Sequence, residues 1–151
     1  MKINFGAKIC EYDAPMTVYD AAREAELIDR SIIAAKVNGE VVALTTLVEA
    51  DANVELLSFA HKDGMHVFRH TASHILAQAV KRLYPETKLT IGPAIENGFY
   101  YDFDSEVTFS PDILKKIEDE MKKIVKENHK IERCELPREQ AIALMTEKNE
   151  L

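Results

Sequence analysis

Two histidines of this 151-residue chain, His70 and His74, have side chains and a spacing that suit metal binding or proton transfer. Residues four apart on an α-helix lie one turn above each other, so both imidazoles project from the same side. The apolar residues of this stretch fall on the opposite side of an ideal helix; they are Phe68, Ala72, Ile75, Leu76, Ala79 and Leu83. The pair is therefore not needed by the core that this helix builds.

A paired imidazole that faces away from a core can face water, bind a metal or move protons. His66 extends the stripe by one turn, and with Gln78 and Lys81 it fits a solvated helix face. A zinc site needs at least three protein ligands. His129 and Cys134 lie on separate predicted elements, so we predict no metal site in this chain.

The third use is acid–base chemistry. Imidazole has an ordinary pKa of about 6.5, so it exchanges protons near neutral pH. Two such groups can position a water molecule beside an ester carbonyl and take its proton. Tyr101, on a neighbouring predicted hairpin, can add a hydrogen bond, but no nucleophile or oxyanion stabiliser accompanies these residues. The chain therefore predicts half of a catalytic site.

Composition narrows the class of protein. Hydrophobic residues make up 46% and charged residues 30% of the chain, which is typical of a folded, soluble protein. A net charge of −7 disfavours binding of nucleic acid by charge alone, but leaves room for a specific RNA contact. Cys10 and Cys134 are isolated, and neither a membrane span nor a signal peptide is evident. A cytoplasmic protein fits best.

The N-terminal part predicts a small module of strands around one helix. Residues 2–5 and 8–12 alternate in polarity and predict a hairpin around Gly6-Ala7. Thr17 is a typical helix N-cap. Asn38-Gly39 predicts a second tight hairpin, and the apolar run 54–59 predicts a buried strand. This order of elements is that of a ubiquitin-like β-grasp.

A polar stretch containing glycine, residues 61–64, separates two hydrophobic patterns. We therefore predict two domains, 1–62 and 63–151. The second opens with the long histidine-bearing helix, from about residue 65 to residue 83. Pro85 ends this helix because proline cannot continue its hydrogen bonding.

The rest of the second module predicts short strands and two helices. A turn at 96–98 leads into an alternating strand, 98–104, and Ser110-Pro111 is a typical helix start. A short strand at 130–134 and a helix from 137 to about 148 follow. The helix that starts at Ser110-Pro111 has a predicted core face of Ile113, Ile117, Met121, Ile124 and Val125.

Two other patterns favour structure over chemistry. Gly92 and Gly98 do not form a P-loop or a GxGxxG motif, so we interpret them as a tight turn and close packing. The lysines of 115–126 alternate with acids, which predicts a solvated helix. The predicted ion pairs are Glu118–Lys122 and Asp119–Lys123. The second module lacks a closing strand before residues 149–151, so we expect only the first part of a larger domain.

Two segments of this second module resemble a known family. Residues 69–85 (RHTASHILAQAVKRLYP) and 91–103 (IGPAIENGFYYDF) are similar to two hallmark segments of the editing domain of bacterial threonyl-tRNA synthetases. Upstream, 36–40 (KVNGE) and the β-grasp order resemble the TGS domain that precedes it, and 135–142 also fits. The resemblance implies an α+β fold: a TGS domain followed by part of the editing domain.

The resemblance also implies a function for the parent protein. Such an enzyme charges tRNA(Thr) with threonine using ATP, and its catalytic domain, which is absent here, holds Zn and Mg. It is a cytoplasmic homodimer without a membrane partner. A threonine pocket rejects serine poorly, since one missing methylene-sized contact costs about 1–3 kcal/mol. A separate editing site therefore hydrolyses mischarged seryl-tRNA(Thr).

Three residues take roles from this resemblance. His70 and His74 match the HxxxH pair of the editing pocket, where they would position the terminal ribose and a hydrolytic water. Tyr101 matches a pocket tyrosine and would be a substrate contact. The family's second pocket motif, with a Cys and a further His, is absent from this chain. We therefore expect no cofactor in this fragment, no charging activity and at most weak hydrolysis.

Two alternatives stay open. A nucleoside (uridine) kinase can carry a similar TGS and partial editing-like region ahead of a P-loop domain; a downstream GxxxxGK[ST] motif would select it. A non-enzymatic module that binds RNA or a protein would tolerate loss of the histidines. The resemblance continues through residues 130–142, which favours the synthetase.

Overall fold

The computed structural model describes residues 1–6 and 8–148 of the chain. Ala7, in the predicted first turn, and residues 149–151, where we expected an incomplete domain to stop, lie outside the described residues. Helices and a mixed sheet together confirm the α+β class. The chain divides into two compact units, Met1–Arg69 and the part from His70 onward. Domain limits at 62 and 63 stay a prediction.

The first unit is built on a five-stranded mixed sheet in the order β2-β1-β7-β4-β5. Its first two strands form the predicted hairpin, with Ile3 opposite Cys10, and β1 runs parallel to β7. The second predicted hairpin, at Asn38-Gly39, is confirmed as β4–β5. The strands are β1 (Lys2–Asn4), β2 (Ile9–Glu11), β3 (Met16–Thr17), β4 (Ile32–Val37), β5 (Glu40–Val42), β6 (Leu47–Val48) and β7 (Ala52–Ser58).

Helix α1, Val18–Glu24, begins at the predicted cap. The backbone N–H of Asp20 donates to Oγ1 of Thr17 at 3.1 Å, and the Thr17 hydroxyl donates to the Asp20 carboxylate at 2.7 Å. This reciprocal pair satisfies a helix N–H that has no partner within the helix. The core of the unit consists of Ile3, Val18, Ala21, Ala35, Val48, Ala52 and Val54.

Helix α2 spans Lys62–Leu83, so it begins three residues before the predicted start. Residues 62–64 of the polar stretch at which we predicted the domain boundary form its first turn. Asp63 lies near the positive end of the helix, where an acid is favoured. Gly64 packs against strand β7: a Cβ there would lie 2.1 Å from the carbonyl oxygen of Ser58. The helix ends before Pro85, as predicted.

Four two-residue strands follow, in two antiparallel pairs, β9–β10 and β8–β11. The predicted turn at 96–98 is confirmed, but the predicted continuous strand 98–104 is wrong. Its two ends pair with different strands, and residues 100–102 between them are not part of a strand. The predicted alternation of burial is confirmed within it. The strands are β8 (Lys88–Leu89), β9 (Ala94–Ile95), β10 (Gly98–Phe99) and β11 (Phe103–Asp104).

Helix α3, Pro111–Glu127, starts as predicted after the N-cap Ser110. Ile117 and Ile124 are buried in a second apolar cluster, together with Ala79 and Val80 of α2. Ile113 and Met121 pack against this cluster, but Val125 is 60% exposed, so its placement on the core face was wrong. Each helical residue advances about 100°, and the residue after Ile124 has already turned toward solvent.

The polar side of α3 is solvated, as predicted, but one of its two predicted ion pairs is wrong. Glu118 and Lys122 pair at 2.6 Å. Asp119 instead lies 3.5 Å from Lys115 and 3.6 Å from Lys122. Lys123 pairs with Glu120 at 2.8 Å, because an i,i+3 neighbour is as close as an i,i+4 neighbour on a helix.

The segment after α3 differs from the prediction. Residues 130–134 form no strand, and Ile131 is 79% exposed. Alternating polarity predicts a strand only where a neighbouring strand accepts its hydrogen bonds, and no described residue does so here. Helix α4 is confirmed at Arg138–Glu147, directly after Pro137.

No helix in the described part of the chain is both long and apolar enough to span a bilayer. Both cysteines are free: Cys10 is half-buried and Cys134 is exposed.

Candidate functional site

The two histidines of α2 contact each other on its exposed side. Their Nε2 atoms lie 3.0 Å apart, and their ring centroids are 4.6 Å apart at an angle of 87°. This separation fits one N–H···N hydrogen bond, in which one Nε2 carries the proton and the other accepts it. One proton therefore lies between the two Nε2 atoms, and a proton added to the accepting Nε2 would remove this hydrogen bond.

The His74 side chain is exposed overall, but partial desolvation of its ring lowers the pKa of the imidazole below its ordinary value, and the neighbouring His70 lowers it further. Desolvation disfavours a charged imidazole, and a like charge in contact adds to this effect. His74 is therefore neutral at neutral pH. A neutral imidazole has a lone pair with which it can accept a proton.

The apolar side of α2 behaves largely as predicted. Ile75, Leu76, Ala79 and Leu83 belong to the apolar cluster shared with α3. Phe68 does not: it is 47% exposed and meets Phe59 edge to face, with ring centroids 5.2 Å apart. Among the polar residues, His66 and Gln78 are exposed.

Lys81 is not part of the solvated stripe in which we placed it. Its ammonium donates to the carbonyl oxygens of Pro85 and Thr87, at 2.8 and 3.1 Å. The side chain thus satisfies backbone groups that follow the helix end, where a positive charge is favoured.

Ser73 is a residue that the sequence analysis missed. Its side chain is completely buried. The hydroxyl oxygen lies 2.8 Å from the carbonyl oxygen of His70 and 3.0 Å from that of Gly92. The one signal in the sequence is a small polar residue adjacent to His74, at a position where an amphipathic helix turns toward its core.

Gly92 confirms the interpretation of close packing. A Cβ at this position would lie 2.0 Å from Cδ2 of the Tyr101 ring. The ring also stacks on Phe103, with centroids 4.9 Å apart and planes 15° apart. Phe103 packs in turn on the apolar cluster of α2 and α3. Tyr101 is thus connected to the histidine turn through Gly92 and Ser73.

The candidate metal ligands do not converge. Within residues 1–6 and 8–148, no three His, Cys, Asp or Glu side chains are grouped so as to hold a metal ion. His129 lies instead against Glu127 at 2.7 Å, in the exposed stretch after α3.

Comparison with known proteins identifies a homologous family. No family model matches the chain. A threonine–tRNA ligase of Clostridium botulinum (strain Hall) is 54% identical over 144 residues, and one of Clostridioides difficile (strain 630) is 54% identical over 143 residues. These stretches cover 95% and 94% of this chain. The chain is homologous to the threonine–tRNA ligases.

The homology confirms the resemblance read from the sequence, and nothing in it supports the kinase alternative. Because 144 of the 151 residues are matched, the stretch includes His70, Ser73, His74, Gly92 and Tyr101. The chain spans only 23% and 22% of the length of these two threonine–tRNA ligases.

Proposed function

We propose that this chain is the N-terminal segment of a threonine–tRNA ligase. In this proposal, residues 1–62 are a TGS domain with a β-grasp fold, and residues 63–151 are the first portion of the editing domain. Homology along 95% of the chain supports the assignment. The mixed sheet with α1 packed on its core supports the β-grasp.

The parent enzyme would join threonine to tRNA(Thr) using ATP, as the names of its relatives indicate. Its partners would be tRNA(Thr), threonine and ATP, in a cytoplasmic homodimer. The described residues contain no metal-ligand group, so they do not fit the zinc of a threonine–tRNA ligase. We place Zn, Mg and ATP in the part of the parent that lies outside this chain.

The second activity, editing, would use the residues of this chain. We propose that His70 and His74 act in hydrolysis of seryl-tRNA(Thr), and the observation that carries this is their 3.0 Å Nε2 contact on an exposed helix face. The oxygen of a water molecule attacks the ester carbonyl while a neutral imidazole takes its proton. The bond from that carbonyl to the ribose oxygen then breaks, and the ribose oxygen receives a proton.

The lowered pKa of His74 supports this role, because a neutral imidazole is the form that accepts a proton. Tyr101 would add a contact to the substrate. The second half of the pocket would come from outside this chain, so the isolated fragment is expected to be inactive in charging and weak or inactive in hydrolysis.

The test uses the full-length enzyme with His70→Ala and His74→Ala. Hydrolysis of preformed seryl-tRNA(Thr) should fall by about 10²–10⁴-fold, the usual contribution of a positioned acid or base. Threonylation should be unchanged, since its site lies elsewhere. His66→Ala is the matched control, because His66 is exposed one turn earlier on the same helix.

Two results would contradict the proposal. If both variants clear seryl-tRNA(Thr) at the normal rate, the histidines have no hydrolytic role and the non-enzymatic alternative gains support. If His66→Ala is equally damaging, the loss reflects the helix and not the pair.

A further inference from the structure

Ser73 and Thr87 are the buried polar residues of the described chain. The Thr87 hydroxyl lies 2.8 Å from the hydroxyl of Ser105, so it connects the ends of the paired strands β8 and β11 and contacts neither histidine. Ser73 lies directly between the turn that carries the histidines and the loop that contains Gly92. A buried hydroxyl costs about 1–3 kcal/mol unless it is hydrogen-bonded, so its partners are informative.

The bond to the His70 carbonyl does not account for this position by itself. Serine in a helix can donate to the carbonyl three or four residues earlier, and such a bond satisfies the hydroxyl locally. The second acceptor, the Gly92 carbonyl at 3.0 Å, is the unusual feature. One hydroxyl hydrogen serves both oxygens, so the side chain holds two backbone segments at one distance.

Gly92 passes this constraint to Tyr101. Its Cα lies so close under the tyrosine ring that a Cβ would be 2.0 Å from the ring carbon. Beside it, the N–H of Asp102 donates to the carbonyl of Ile91 at 2.8 Å, and the N–H of Thr90 donates to the carbonyl of Asp102 at 3.2 Å. A shift of Gly92 therefore moves the backbone that carries Tyr101.

We propose that Ser73 is a positioning residue for the hydrolytic reaction. Its hydroxyl sets the distance between the turn that carries the two histidines and the segment that carries Tyr101. Ser73 touches no substrate in this role. This inference rests on the proposed editing function, in which those three side chains act on one ester.

The expected effect follows from the geometry of catalysis. A displacement of about 1 Å in a catalytic group costs about 10²-fold in rate, because the reacting atoms must stay aligned. Loss of the Ser73 hydroxyl removes the bond to Gly92 but leaves the apolar packing of Phe103. We therefore expect a partial loss of rate with the fold retained.

The experiment compares Ser73→Thr with Ser73→Val in the full-length enzyme. The two side chains have the same shape, and threonine alone keeps the hydroxyl. In hydrolysis of seryl-tRNA(Thr), kcat of the valine variant should be about tenfold or more below that of the threonine variant. KM should agree within about twofold, and threonylation should be the same in both, as expected for orientation and not binding.

A double-mutant cycle with Tyr101→Phe tests the connection. If Ser73 acts by placing the tyrosine hydroxyl, Ser73→Thr and Ser73→Val should have nearly the same kcat for hydrolysis once Tyr101→Phe is also present. An unchanged difference would overturn the inference, because Ser73 would then act through some other group. If the extra methyl group of threonine or valine prevents folding, Ser73→Ala is compared with the unsubstituted enzyme instead, because alanine removes the hydroxyl without adding volume.

The outcomes separate this inference from the proposed function. If His70→Ala lowers hydrolysis while the threonine and valine variants are equally active, the positioning role is wrong and the editing proposal stands. If the histidine variants hydrolyse normally, the editing proposal fails and the kinetic role of Ser73 fails with it. In that case the structural part of the inference is tested by NMR of this chain. The ring resonances of Tyr101 should shift in Ser73→Val but not in Ser73→Thr if the hydroxyl holds Gly92 under the ring, and equal spectra would overturn that contact.

Discussion

At the scale of single residues, the proton equilibrium of His74 connects the candidate site to stability. Partial desolvation of the ring and the neighbouring His70 both lower the pKa of His74. The unfolded chain has the ordinary histidine pKa of about 6.5, so below that pH it binds more protons at this residue than the folded chain does. Stability therefore rises with pH in this range.

We predict that His74 contributes stability above pH of about 6.5 and loses it as pH falls from there through the lowered folded pKa. His74→Gln should flatten this part of the dependence of unfolding free energy on pH. His70→Gln should raise the pKa of His74, since it removes a like charge. Denaturation at a series of pH values and NMR titration of the His74 ring measure both; an unchanged His74 titration in His70→Gln would refute the coupling.

At the scale of elements, one arginine joins α2 to α3. Both terminal nitrogens of Arg82 lie 2.7 Å from the carboxylate oxygens of Glu127, a two-point contact that fits the planar guanidinium. Hydrogen bonds from Arg82 and then from His129 lower the pKa of Glu127 to about 2. The hydrogen bonds to Glu127 and Glu120 raise the pKa of Arg82. This pair reinforces the apolar cluster between the two helices.

We predict that the Arg82–Glu127 contribution is present above the unfolded glutamate pKa of about 4.3 and is lost as pH falls toward 2. Glu127→Gln should lower the melting temperature at pH 7 and lessen the loss of stability on acidification. Glu118→Gln is the control, because Glu118 pairs with Lys122 on the same helix. Equal effects of the two substitutions on thermal unfolding would show that the interhelical contact adds nothing.

At the scale of the whole molecule, the chain carries two separate apolar clusters. The first centres on Ile3, Val18 and Ala21 within Met1–Arg69. The second includes Val80 and Ile117 in the unit from His70 onward. Each unit buries its own apolar residues, which is the property of a region that can unfold by itself.

We predict that Ile3→Ala and Ile117→Ala each cost about 2–5 kcal/mol, because both side chains are buried and leave a cavity. The first should raise amide hydrogen exchange within residues 1–69, and the second from residue 70 onward. Mass spectrometry of exchanged peptides distinguishes the two. Equal acceleration in both units by either variant would mean that the chain unfolds as one block.

Predictions made from local signals hold well in this protein. The cap at Thr17, the turn at Asn38-Gly39 and the helix end before Pro85 all depend on residues that are neighbours in sequence. The failures share another cause. The strand expected at 130–134 has no partner strand, and the strand expected at 98–104 divides between two partners. Strand pairing depends on residues far away, which alternation does not report.

The sequence by itself determined that His70 and His74 share one side of a helix, and its motifs were enough to show the resemblance to threonyl-tRNA synthetases. Both follow from short-range order, since helical periodicity places residues four apart together whatever lies beyond. Only the tertiary structure decided that Ser73 meets Gly92 and that Gly92 lies under Tyr101. Those contacts join segments separated by nine to nineteen residues, and the path of the backbone between them, not the spacing of residue types, sets their distance.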